Sequence, residues 1–146
     1  MEILVPIDFS EATPKVIQQA KKFAESLTAK IWLIHVAEPD PFFVGYEPGP
    51  KSVRDNLAKK FRKEHAYLQE EAEKLRQTGI DATALLVQGP TVQTILNQAK
   101  KLKVDLIIMG SHGHGAILKF LVGSVSEGVL RKSPHPVLIV PGYQKS

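Results

Sequence analysis

Apolar residues recur along this chain in two alternating rhythms. Ile3-Leu4-Val5-Pro6-Ile7 is a short, nearly continuous apolar run, the pattern of a strand covered on both faces. Asp8-Phe9-Ser10 turns the chain, and Ala12, Val16, Ile17, Ala20, Phe23, Ala24 and Leu27 then fall on one face of a helix. Ser10 reads as its N-cap, Thr13 as a weaker one, with Pro14 in the first turn. Ile31 to Val36 reads as a second strand. Residues 38 to 50 hold Pro39, Pro41, Gly45, Pro48, Gly49 and Pro50, too many breakers for regular structure.

A helix from about Ser52 to Arg76 follows, apolar at Leu57, Phe61, Leu68, Ala72 and Leu75 and charged elsewhere; Thr78-Gly79 stops it. Ala82 to Val87 is a third strand, and Gly89-Pro90-Thr91 opens a helix with Val92, Ile95, Leu96, Ala99 and Leu102 inward. Val104 to Met109 is a fourth strand. After a glycine-studded segment come a helix from Ser124 to Arg131 and a fifth strand, Val137–Val140, bracketed by Pro136 and Pro141.

This alternation predicts an α/β fold occupying residues 1–146 as one domain. The architecture is a three-layer α/β/α sandwich on a doubly wound, five-stranded parallel sheet of Rossmann-like type. Ligands of such sheets sit beyond the carboxyl ends of the strands, where the strand order reverses. Asp8 ends the first strand and Gly110 the fourth. As neighbours at the switch point, those strands place both residues on one crevice.

Composition narrows the chemistry. With 146 residues, 43% of them hydrophobic, the chain can bury a core unaided. It has no cysteine, which excludes disulfides, thiolate metal sites and a thiol nucleophile. No leader pattern and no apolar run near the roughly 18 residues of a membrane span is seen, so the expectation is a cytoplasmic protein without a membrane anchor. Net charge is +4, and part of the excess lies at Lys51, Arg54, Lys59, Lys60, Arg62 and Lys63. Glu64, Glu70, Glu71 and Glu73 then reverse the sign. A nucleic-acid binder keeps one continuous basic face with interleaved aromatics, so this pattern argues for a solvated helix face. A docking patch for an acidic partner is the alternative.

The chemistry concentrates in Gly110-Ser111-His112-Gly113, nine residues, then Gly123-Ser124. A glycine-rich strand-to-helix connection lets bare N–H groups approach an anion, and Ser124 adds a hydroxyl at a helix N-terminus. The segment is neither a P-loop nor a G-x-G-x-x-G turn.

These residues resemble the universal stress protein family, whose ATP-binding members carry G-x2-G-x9-G-[ST]. Gly110, Gly113, Gly123 and Ser124 fill that pattern without a gap. Ile3 to Glu11, Leu33-Ile34-His35-Val36, Gly123 to Arg131 and Pro136 to Pro141 extend the similarity over essentially the whole chain. The resemblance implies that Asp8 and the backbone of Val36 contact adenosine, and that Met109 and Gly110 lie under the ribose and α-phosphate. Gly113, Gly123, Ser124 and Val125 would cradle the phosphates, with His112 and His114 inside the loop and Lys119 after it as further donors. The implied ligand is ATP or another adenine nucleotide, with Mg or Mn carried on the phosphates. The implied assembly is a homodimer through the fifth strand, an apolar edge that pairing with a twin would cover.

His112-x-His114 lacks a third ligand in reach and makes a weak metal motif. His35 reads as a satisfied core residue, His65 as a surface residue and His135 as part of the turn before Pro136. The leading expectation is a nucleotide-responsive stress module. The alternatives are a slow ATPase or phosphate-transfer enzyme, for which the segment offers no carboxylate base, and a nucleotide-free interaction protein.

Overall fold

The computed structural model describes residues 1–38, 51–111 and 123–141, the side chains of 51–53 excepted. Its elements in chain order are β1 (Glu2–Pro6), α1 (Thr13–Leu27), β2 (Lys30–Ala37), α2 (Lys51–Gln77), β3 (Ala82–Gln88), α3 (Thr91–Lys101), β4 (Leu106–Gly110), α4 (Ser124–Lys132) and β5 (Val137–Val140). The five strands form one parallel sheet in the order β3-β2-β1-β4-β5. The chain winds outward from β1 to β3, crosses back over β1 to β4 and winds outward again. The expected doubly wound α/β architecture is the one observed.

Alternate side chains along each strand serve opposite layers. Ile3, Val5, Ile31, Leu33 and Ile108 pack with Val16, Ile17 and Ala20 of α1 and Leu68, Ala72 and Leu75 of α2. Leu4, Ile34, Ile107 and Met109 pack with Ile95 and Ala99 of α3 and Val129 of α4. Most of these strand residues are wholly buried, each contributing about 1.5–3 kcal/mol of apolar burial. The central strands are therefore apolar on both faces, as their sequences predict.

Most boundaries shift by a residue, and two differ for a clear physical reason. Ser10 is not the N-cap of α1. Asp8 Oδ1 accepts the Ser10 N–H at 2.9 Å, and the Ser10 carbonyl accepts from Thr13 N–H at 3.1 Å. These bonds make a separate turn, and Ala12 occupies the cap position. Thr13 is already helical, and Pro14 sits where a missing N–H is harmless. Val104 does not begin β4: its N–H bonds the Ala99 carbonyl at 3.1 Å and closes α3, helped by Lys103 at φ 53°. As foreseen, α2 stops at Gly79, which has φ +92°.

Pro6 opens the sheet where a ligand can enter. The Ile7 N–H donates to the Ile34 carbonyl of β2, whereas the Glu2 carbonyl accepts from Asp105 on the β4 side. Even-numbered residues of β1 thus turn their backbone toward β4, and at Pro6 that side has no N–H. Pairing of β1 with β4 ends at Leu4↔Ile107, while β4 continues beside β5 to Gly110↔Val140. A crevice follows between the two central strands, at the switch point.

Candidate functional site

The crevice widens into a cavity of about 750 Å³. Asp8 and Phe9 from the β1 end, His35 and Val36 from β2, Glu64 from α2, and Gly110 and Ser124 across the switch point all border it. Each of these elements arrives for a separate local reason.

The α4 end is held against β4 by two bonds. Gly123 N–H donates to the Ser111 carbonyl at 2.6 Å, and Ser126 Oγ donates to the Gly110 carbonyl at 2.6 Å. Gly123 is the N-cap of α4, so Ser124 is its first helical residue and not its cap. The first intrahelical bond runs from Glu127 N–H to the Gly123 carbonyl, and no described side chain caps the helix. The N–H groups of Ser124, Val125 and Ser126 therefore lie before the first turn closes, at the positive end of the helix. Ser124 is exposed and brings its hydroxyl to the same end. Such an end suits an anion.

The β2 end offers a backbone edge. The Ile34 carbonyl faces β1 and the Ala37 carbonyl faces β3, where Gly89 N–H meets it at 3.1 Å. By this alternation the N–H and C=O of Val36 turn toward β1, whose strand has ended at Pro6. The next rung would give the Ile7 carbonyl to Val36 N–H. That carbonyl accepts instead from His35 Nδ1 at 2.6 Å. Val36 thus presents its amide edge to the cavity while its side chain is buried against α3. Met109 supplies an apolar floor on the same face.

The side toward α1 and α2 is polar in an unexpected way. His35 Nε2 lies 3.3 Å from Glu64 Oε2, and both side chains are only 14% exposed. The Phe9 ring sits 4.4 Å from the His35 ring and meets Tyr67 edge-on at 5.2 Å. Phe9 holds φ +60°, which costs a bulky residue about 1–3 kcal/mol. Ser10 Oγ, Thr13 Oγ1 and Glu64 Oε1 are buried without a hydrogen-bond partner, and all three residues border the cavity. Unsatisfied buried groups gathered at one cavity mark a binding site more than a packing core.

Asp8, Val36, Met109, Gly110, Gly123, Ser124 and Val125 all border this one cavity. His112 and Gly113, with His114, Lys119 and the segment 39–50, lie outside the described residues. His35 is satisfied as expected, but it borders the cavity and is no mere core residue. Phe9 and Glu64 carried no expected role, and His35 only that of a core residue. One signal was present for Glu64: it interrupts the apolar stripe Leu57, Phe61, Leu68, Ala72 of α2 with a charge. Among the described residues, no group of three or more His, Asp or Glu is placed to hold a metal ion, and no helix is long and apolar enough to cross a membrane.

Comparison with known proteins finds relatives that share this fold. A universal stress protein in the QAH/OAS sulfhydrylase 3′ region of Thermus aquaticus is 36% identical over 94% of this chain and 96% of its own length. The solved structure of MJ0577 from Methanocaldococcus jannaschii superposes with a TM-score of 0.83 at 30% identity, covering 99% of this chain and 97% of that one. A universal stress protein solved in complex with cAMP shares the fold at 24% identity and a TM-score of 0.72, covering 98% of each chain. The model of the universal stress protein family matches residues 1–141. With this family model spanning nearly the whole length and a relative 36% identical, the chain belongs to the universal stress protein family.

Proposed function

We propose that this protein binds an adenine nucleotide, with ATP as the leading ligand, across the β1–β4 crevice and acts in the cytoplasm as a nucleotide-responsive module. The observation that carries this reading is the convergence of three recognition elements on one cavity. The N-terminus of α4, with Gly123, Ser124 and Val125, offers N–H and hydroxyl donors for phosphates. Val36 offers a backbone edge of the kind that pairs with the N–H and ring nitrogen of adenine. Asp8, at the mouth between them, offers a carboxylate to ribose hydroxyls, and Met109 and Gly110 line the floor.

Gly113 and His112 complete the phosphate cradle in this reading, and Mg or Mn travels on the phosphates with few protein ligands. The complex of a relative with cAMP supports the ligand class, since that molecule carries adenine. We also propose a homodimer through Val137–Val140. That strand is an outer strand of the sheet, and Val137, Leu138 and Ile139 remain half-buried beside β4 alone. A second copy would cover the edge.

The test is direct. Protein purified without added nucleotide is denatured, and released small molecules are identified by mass spectrometry. The stripped protein is then titrated with ATP and magnesium. Release of an adenine nucleotide, or micromolar binding that Gly113→Val abolishes, is expected. No release and no binding at millimolar ATP would refute the proposal.

A further inference from the structure

The structure assigns to His35 and Glu64 a role in holding the adenine-reading edge open, through one proton shared between them; this rests on the nucleotide reading. A carbonyl oxygen can only accept, so the 2.6 Å contact to Ile7 requires that His35 Nδ1 carry its hydrogen and donate it. The far nitrogen, Nε2, then faces Glu64 Oε2 at 3.3 Å. An unprotonated Nε2 and a carboxylate oxygen are both acceptors. Their contact is attractive only when one proton lies between them, as imidazolium with carboxylate or as imidazole with carboxylic acid.

This bridge reaches the ligand through the backbone. With Glu64 holding the ring, Nδ1–H occupies the Ile7 carbonyl, and Val36 N–H turns to the cavity. When the proton leaves, two lone pairs face each other across a half-buried gap. The other Glu64 oxygen is already unsatisfied there. The ring is then driven from its seat, and the Ile7 carbonyl becomes available to Val36 N–H, closing the rung that the base needs. His35 and Glu64 are therefore positioning residues. Among the described residues, the charged and titratable groups that share this cavity are Asp8 from the β1 end, Glu38 from the β2 end and Lys60 from α2, with Tyr67 of α2 behind Phe9. Toward α1, the Ser10 and Thr13 hydroxyls border the same cavity. Because the shared proton favours the open edge, nucleotide affinity falls when rising pH removes that proton.

The test pairs ligand binding with a nucleotide-free readout. In labelled protein without nucleotide, ring nitrogen spectra of His35 and hydrogen exchange of the Val36 amide are followed across neutral pH. ATP affinity is measured over the same range in wild type, Glu64→Gln and His35→Asn. Wild-type affinity is expected to fall roughly five- to tenfold with rising pH, while Val36 becomes protected. Glu64→Gln donates an amide N–H to neutral Nε2, and His35→Asn keeps a donor for the Ile7 carbonyl. Both are expected to bind ATP with a flat profile. A His35 Nδ1 without hydrogen, or parallel profiles for wild type and Glu64→Gln, would overturn the proposal. If ATP does not bind at any pH, the nucleotide reading fails and the positioning role falls with it; the ring spectra still show whether the bridge itself exists.

Discussion

Gly128 sits inside α4 at its crossing with α3, and a methyl group there should destabilise the protein although it favours the helix. An ideal Cβ at Gly128 lies 2.8 Å from Val92 Cγ2 and 3.3 Å from Cγ1. Val92 is β-branched and stiff at χ1, so it cannot swing aside and one helix must move. Such overpacking costs about 1–3 kcal/mol. Replacing an interior helical glycine by alanine returns about 1 kcal/mol. The net expectation for Gly128→Ala is a loss of about 1 kcal/mol. In a Val92→Ala background the clash disappears, and the same change should stabilise by about 1 kcal/mol. Denaturant unfolding of the four proteins in the cycle should thus give a coupling near 2 kcal/mol, well above the roughly 0.5 kcal/mol scatter of additive pairs. Since α4 presents Ser124 and Val125 to the cavity, ATP affinity should fall in Gly128→Ala and recover in the double variant. Additive changes, or outright stabilisation by Gly128→Ala in the wild-type background, would refute the reasoning.

Three further outcomes are expected. Asp8→Asn keeps an oxygen for the Ser10 N–H and should shift unfolding by no more than about 0.5 kcal/mol. By calorimetry it should weaken ATP about tenfold, the equivalent of one lost charge-assisted bond. Gly89→Ala should cost at least about 2 kcal/mol by thermal or denaturant unfolding, because Gly89 has φ +153° and its Cβ would lie 2.4 Å from Thr94 Oγ1. Adding Thr94→Ala should recover only the steric part. Burial, with the Glu71 carboxylate adding to it, raises the Tyr67 phenol above its ordinary value of 10.0. The folded state then keeps the Tyr67 proton longer than the unfolded chain does. Stability from this source is complete below pH 10.0 and declines as pH rises toward the folded value. Tyr67→Phe should flatten that alkaline decline, read from unfolding midpoints alongside tyrosinate absorbance.

The sheet was legible because its central strands are buried on both faces, which writes Ile3 to Ile7 and Leu106 to Met109 as apolar runs that no exposed element would carry. The crevice was legible because a glycine-studded strand-to-helix connection stands out in sequence, and Gly110, Gly123 and Ser124 do border the cavity. Other features depend on which of several hydrogen-bond partners wins, or on partners distant in sequence. Ser10 has the composition of an N-cap, but the Asp8 carboxylate takes its N–H and moves the helix start to Ala12. Val104 has the composition of a strand, but its N–H closes α3. Pro6 was visible, yet its effect follows only from knowing that β4 lies on its unpaired side. His35 and Glu64 are 29 positions apart by their numbering, and nothing local says that α2 lays one against the other.

The central claim is that an adenine nucleotide lies between the Val36 edge and the α4 N-terminus. Mapping ATP-induced shifts of the backbone amides tests it most directly. The account predicts that Asp8, Val36, Gly110, Ser124 and Val125 shift together with one saturating dependence on ATP, while amides at the opposite end of the sheet, near Glu2 and Lys30, stay still. Shifts confined to the basic face of α2, or none at millimolar ATP, would contradict it.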